Sequence, residues 1–314
     1  MTIPRSEIEI EEESSYHCIS RCVRRAYLYG DDKYSGKNFD HRKIWIRKRL
    51  IFLVKIFTIE VLAAALMDNH IHKLLRKRPD LLAKLSDEEV LKRWQKLYPP
   101  RVKIPLEVAL KDKNRITELR SRLCSLSWFM KSFNEYIARM ANKEDKCKGR
   151  FWEGRFKSVR IVGQAALLGC AVYIDLNPIR AQKTKTPEDS EYTTAYERIK
   201  AYKKGISEGS LWCAPISDTK SRKGFLNMTL KEYLEILDVT GRELKKGKRG
   251  KIPNKIAPIL ERIGLQTDKW LHTTEQIGKC YSRISSQYEN MKAYAEIHDK
   301  KWVKGFSFSQ EMFC

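Results

Sequence analysis

An α+β fold is predicted for this chain, on three observations. Short β-rich runs and amphipathic runs succeed one another over residues 14–182 as strand, helix, strand, strand, long helix, strand. The turn signal Asp68-Asn69 divides two apolar runs and makes them a hairpin. Residues 192–314 read as helical and basic. The order is that of a ferredoxin-like split βαβ sheet with helices on one face, plus a mainly helical C-terminal extension.

Residues 1–13 (MTIPRSEIEIEEE) are an acidic N-terminal arm. Tyr16–Val23 (YHCISRCV) is rich enough in β-formers to be the opening strand, and Gly30–Lys37 (GDDKYSGK) is turn chemistry. From Phe39 to Phe57 the apolar residues Ile44, Ile46, Leu50, Ile51, Leu53, Val54 and Phe57 keep helical spacing on a strongly basic segment, with Asp40 near its start. Ile59–Met67 is a compact apolar run, read as a buried strand, and His70–Leu75 is its partner.

Residues 76–117 read as an insertion. Its helix starts at Ser86, which Glu89 follows three residues later, and stops before Pro99-Pro100. Arg115–Asn142 is one long helical pattern, with Leu119, Leu123, Leu126, Phe129, Phe133 and Ile137 at three- and four-residue steps. Phe156–Val162 is the last strand, and Ala165–Asp175 is an apolar helix closed by Asn177-Pro178. The composition shift at Gln182–Glu191 marks a boundary between a domain at 14–182 and a basic, mainly helical region at 183–314.

The 314 residues are enough for one large domain or two of ordinary size, and enough to bury a core without disulfide or metal staples. Hydrophobic residues at 42% and charged residues at 32% exclude collagen-like and wholly disordered classes. Lys and Arg number 62 against 39 Asp and Glu, a net +23, which points first to a polyanionic partner such as nucleic acid. The longest apolar run, Val61–Met67, is too short to span a membrane, and the acidic start is not a secretory signal. Eight scattered cysteines without a CxxC pair read as reduced thiols of a cytoplasmic protein.

Three features carry chemistry. In His70-Ile71-His72, residues i and i+2 of a strand leave the same face, so both imidazoles can reach one metal ion. Two histidines at this spacing among six are equally compatible with inert surface residues. Tyr136 sits mid-way along the long helical pattern and is either a half-buried helix tyrosine or a nucleophile, whose phenol needs activation to attack a phosphodiester. In Gly149–Ser158 (GRFWEGRFKS), Arg150, Arg155 and Lys157 alternate with aromatics. The cations suit phosphates, and Trp152 suits either the core or a stacked base.

Met67-Asp68-Asn69-His70-Ile71-His72 resembles the M-x-N-H-x-H signature of the single-tyrosine H-U-H transposases. Gly149–Ser158, Tyr173–Ala181 (YIDLNPIRA) and Arg21–Arg25 (RCVRR) resemble further segments of the REP-associated tyrosine transposase branch, over residues 12–182. The resemblance implies a DNA transposase that cuts and rejoins single-stranded, hairpin-bearing DNA, such as repetitive palindromic elements. It implies a divalent ion (Mg²⁺ or Mn²⁺) on His70 and His72, attack by Tyr136 to give a 5′-phosphotyrosine, and DNA contacts from Arg24, Arg25, Arg150, Trp152, Arg155 and Lys157. It further implies a bacterial, cytoplasmic, nucleoid-associated protein, monomeric or homodimeric, with no membrane partner.

In relatives a polar residue one turn after the tyrosine often completes the metal shell. Met140 stands there, a poor ligand for a hard cation, which leaves Glu135, Asn134, Asn142 or a water as candidates for the third ligand. A second expectation is a non-catalytic hairpin-DNA-binding regulator on the same fold, and a third an RNA-binding protein with incidental histidines. The basic stretch Lys245–Arg249 is either a clamp on hairpin DNA or a solvated loop.

Overall fold

β1 (Ser14–Arg21), α1 (His41–Ile56), β2 (Ile59–Met67) and β3 (His70–Lys77) follow the expected order, and β4 (Lys157–Ile161) closes the split βαβ unit. The computed structural model describes residues 9, 12–23, 30, 36–102, 104–243, 284–285, 288–297, 300 and 302–313. The sheet order is β2-β3-β1-β4, each strand antiparallel to its neighbour, with a two-residue β5 (Ile284–Ser285) parallel to β4. β3 runs two residues further than its apolar pattern, because Arg76 and Lys77 pair with Ser15 and Ser14 of β1.

Between β3 and β4 the chain forms α2 (Pro79–Ala83), α3 (Asp87–Leu97), α4 (Leu106–Ala109), α5 (Lys113–Leu123) and α6 (Leu126–Glu144). Ser86 caps α3 as expected, its Oγ accepting the Glu89 N–H at 3.2 Å. The single helix expected over 115–142 is two. The break falls at Cys124-Ser125, where the Ser125 Oγ accepts the Trp128 N–H and starts a new helix. The Glu9 carboxylate accepts the Leu126 N–H at 2.7 Å, so part of the acidic arm is docked where a helix dipole favours negative charge.

Helices cover both faces of the sheet, not one as expected. On one face α1, α3, α5 and α6 pack against Tyr16, Cys18, Ile71 and Leu75. On the other α7 (Gln164–Asp175) and α9 (Thr194–Lys203) lie on the sheet, and with α10 (Leu230–Glu243) and α11 (Tyr288–Ile297) they share one core that includes Ala63, Ala65, Leu74 and Ile161. The double burial explains why all nine residues of β2 are buried and why its sequence does not alternate. α7 is apolar around its circumference because it lies between the sheet and the C-terminal helices. α8 (Asn177–Arg180) follows directly, and α12 (Phe306–Phe313) lies beside α11.

Residues beyond 182 share this second core. The Thr194 Oγ1 accepts the Ala64 N–H at 3.0 Å, and Arg198, fully buried, donates to the carbonyls of Leu62 and Ala214. No helix among the described residues is long and apolar enough to cross a membrane. Lys245–Arg249 lies outside the described residues.

Candidate active site

The pleat assigns each site residue to a face. His70 pairs with Arg21, His72 with Ile19 and Leu74 with His17, while Ile19 and His17 pair on their other side with Lys157 and Val159. Directly paired residues share a face, so His17, Arg21, His70, His72 and Lys157 all project towards α7. Ile71, Lys73, Cys18 and Ser20 project the other way. There Lys73 Nζ lies 4.4 Å from the centre of the Phe133 ring, and the Ser20 hydroxyl donates to Asn134 Oδ1 at 2.9 Å. Ala63 and Ala65 of β2 flank this histidine row and leave room for a helix against it.

Three imidazoles form a cluster on the α7 face. His72 is 3% exposed and His17 2%, their rings stacked with centroids 5.1 Å apart. His17 Nε2 and His72 Nδ1 share a hydrogen bond of 2.9 Å. The His70 ring stands edge-on to His72 at 4.7 Å, and its Nδ1–H donates to Asn69 Oδ1 at 2.6 Å. Burial and the Lys73 charge push His17 down to about 3. Burial and Arg21 push His70 down to about 4, and burial with His17 holds His72 well below the usual range. All three are therefore neutral at neutral pH.

The tyrosine that meets them is Tyr173, on α7. Its ring lies 5.5 Å from that of His72 and 5.9 Å from that of His17, edge-on to both. The Arg180 guanidinium lies 5.0 Å from the Tyr173 ring centre, and Asn177, one turn on, donates through Nδ2 to the Tyr173 carbonyl at 2.8 Å. Burial raises the phenol's pKa and Arg180 opposes that rise. Two residues further along α7, the fully buried Asp175 accepts from Thr194 Oγ1, the Ala195 N–H and Tyr233 Oη. These bonds tie the helix carrying Tyr173 to α9 and α10.

Tyr136 is not at this site. It lies on α6, across the sheet from the histidines, 36% exposed, with the Arg49 guanidinium 4.5 Å over its ring. The third-ligand candidates go with it. Asn134 is held by Ser20, Glu135 pairs with Arg139, and Asn142 donates to the Gly149 carbonyl. The physical reason is topological: both crossovers of a split βαβ unit pass over the same face, so α6 lies beside α1 and the histidines face away from it.

Trp152 belongs to the core. It is 8% exposed, packs edge-on to Phe151 at 4.9 Å, and donates its indole N–H to the Asn134 carbonyl at 2.8 Å. Arg150, Arg155 and Lys157 are exposed, and Lys157 lies in the histidine row. Arg24 and Arg25 lie outside the described residues. Arg21, exposed and paired with His70, supplies a cation that only strand register brings to the site.

The residues present fit a divalent ion on His70 and His72. Each has its Nδ1 engaged, and His72 Nε2 is a buried nitrogen without a hydrogen-bond partner. Among the described residues no group of three or more His, Cys, Asp or Glu side chains is arranged to hold a cation. Asn177 lies one turn after Tyr173 with its amide nitrogen committed to the Tyr173 carbonyl, which leaves Oδ1 as the amide atom that bond does not use.

Neither a family model nor a curated protein matches the chain. Among solved structures, a REP-associated tyrosine transposase bound to a REP hairpin is similar at a TM-score of 0.40 and 11% identity, over 72% of this chain and 100% of that one.

Sequence reasoning missed His17, Tyr173 and Arg21 as site residues. His17 and Arg21 had a readable signal: with Ile19 between them they form the odd-numbered face of β1. Tyr173 opens the YIDLNPIRA segment, but its side-chain direction was not legible in a helix that is apolar all round.

Proposed function

We propose that this chain is a divalent-metal-dependent single-tyrosine DNA strand transferase, with Tyr173 as its nucleophile in place of Tyr136. The observation that carries the reading is the convergence of Tyr173, His70 and His72 on one face, with Arg21, Lys157 and Arg180 around them. The motif resemblances and the net charge of +23 supply the substrate class, single-stranded DNA that folds into hairpins.

His70 and His72, with Asn177 as the oxygen donor, would hold Mg²⁺ or Mn²⁺, which when bound polarises the scissile phosphate. Arg180 stabilises the Tyr173 phenolate as the phenolic proton passes to solvent. Tyr173 Oη then attacks phosphorus, the Oη–P bond forms, the P–O3′ bond breaks, and the departing O3′ takes up a proton. The product is a 5′-phosphotyrosine and a free 3′-OH. Attack by a 3′-OH on that linkage rejoins the strand and needs no ATP, because the phosphodiester has been exchanged and not hydrolysed. Arg21 and Lys157, flanking the histidine row, neutralise the phosphates on either side.

The test is a labelled hairpin-bearing single strand, incubated with the full chain and Mn²⁺ and run under denaturing conditions. A denaturation-resistant adduct is expected from the wild type and from Tyr136→Phe, and none from Tyr173→Phe. An adduct that persists in Tyr173→Phe overturns the assignment. No adduct from the wild type across several hairpins leaves a hairpin-DNA-binding protein.

A further inference from the structure

The His70 imidazole donates to an amide oxygen, so its proton is on Nδ1 and its Nε2 carries a lone pair. His72 has a different neighbour. Its Nδ1 meets His17 Nε2, a nitrogen that serves as donor in one tautomer and acceptor in the other. If His17 donates, the His72 proton sits on Nε2, a buried atom with no acceptor. If His17 accepts, the His72 proton is used in the 2.9 Å bond and its Nε2 is a lone pair aimed away from β1.

We infer that His17 is the positioning residue of His72: it accepts the His72 Nδ1–H, fixes the ring, and leaves Nε2 as a ligand nitrogen for a divalent cation. His17 is not itself a ligand, since its Nε2 is spent on His72 and the two rings are stacked at 21°. It stands on β1 four residues before Arg21 and on the same face, held at 2% exposure between the sheet and Tyr173, where a second rotamer has little room. The arrangement matches the general rule that a metal-binding histidine donates its other N–H to a fixed acceptor, here supplied by a second imidazole. Asn69 does for His70 what His17 does for His72.

The consequence for cation affinity rests on the metal reading above, whereas the tautomer does not, and the experiment separates them. The full chain, ¹⁵N-labelled at histidine and free of metal, is analysed by long-range ¹H–¹⁵N correlation. The expected result is His72 protonated at Nδ1. Protonation at Nε2 overturns the inference without any variant having to fold. Mn²⁺ binding is then measured by electron paramagnetic resonance on the wild type, His17→Phe and His17→Gln. His17→Phe, which has no acceptor, is expected to bind Mn²⁺ about 10- to 100-fold more weakly while keeping the wild-type circular dichroism spectrum at the assay temperature, and His17→Gln, which offers Oε1, to recover most of the affinity. Wild-type affinity in His17→Phe overturns the positioning role. If the wild type shows no Mn²⁺ site that His72→Ala removes, the metal reading falls and takes the affinity consequence with it, and the spectra alone decide the tautomer.

Discussion

Replacing Arg198 by Leu is expected to cost about 4 kcal/mol of folding stability. Arg198 is completely buried, 3.9 Å from the equally buried Asp175 and 3.4 Å from Glu208. Its Nη2 also holds the carbonyls of Leu62 on β2 and Ala214 in the C-terminal region, at 2.7 and 2.8 Å. The substitution strands one buried carboxylate without its counter-charge and two carbonyls without donors. Breaking a buried pair on one side costs about 3–5 kcal/mol. Against a usual total of about 5–15 kcal/mol, a loss near 4 removes from about a quarter to about four-fifths of the stability. A shift in melting temperature on the order of 10 °C follows for a chain of this size. Urea denaturation followed by far-UV circular dichroism gives the number. Pairing Arg198→Leu with Asp175→Asn removes the stranded charge and is expected to recover part of the loss, because Tyr233 and Thr194 still have an oxygen to bond. A loss below about 1 kcal/mol for Arg198→Leu would refute the reasoning, since a surface-like cost means that the C-terminal helices are not clamped to the sheet through this cation.

Three other outcomes are expected. Burial pushes the Glu60 carboxyl upward, but Arg76 and Arg78 outweigh it and hold its pKa below 4.5. Its contribution is therefore present above pH about 4.5 and lost as pH falls through the folded value, so Glu60→Gln should flatten the acid limb of a stability–pH curve. An unchanged limb refutes the role. Trp152→Ala should destabilise the fold by about 3–5 kcal/mol in urea titrations. A variant of wild-type stability that has lost DNA affinity would restore Trp152 as a base-stacking residue. Arg21→Ala and Lys157→Ala should each weaken hairpin-DNA binding across sequences and reduce the slope of log affinity against log salt by about one, whereas Lys131→Ala on α6 should leave it unchanged. Equal slopes for all three variants would remove the DNA track from the histidine face.

Secondary structure and the histidine pair were legible because they rest on local chemistry. Asp68-Asn69 forces the hairpin, Ser86 caps α3, and a strand's two-residue period puts His70 and His72 on one side whatever surrounds them. The break at Ser125 was less visible, since apolar spacing continues across it while the cap does not. Trp152 and its cationic neighbours read as one basic-aromatic patch, but the indole is drawn inward by the acceptor at Asn134.

Composition, spacing and turn chemistry were thus sufficient for the strand order, the basic character and the same-face histidine pair. The identity of the tyrosine beside that pair was not contained in any window of the chain. β2 and β3 are buried on both sides, so their residues carry no alternation to say which side looks at which helix. Two crossovers of one hand sent α6 to the far layer, and the need of an all-apolar helix for cover on every side drew α7 between the sheet and the C-terminal helices. A phenol more than a hundred residues from His72 in sequence became its neighbour through packing, a long-range property that local patterns do not encode.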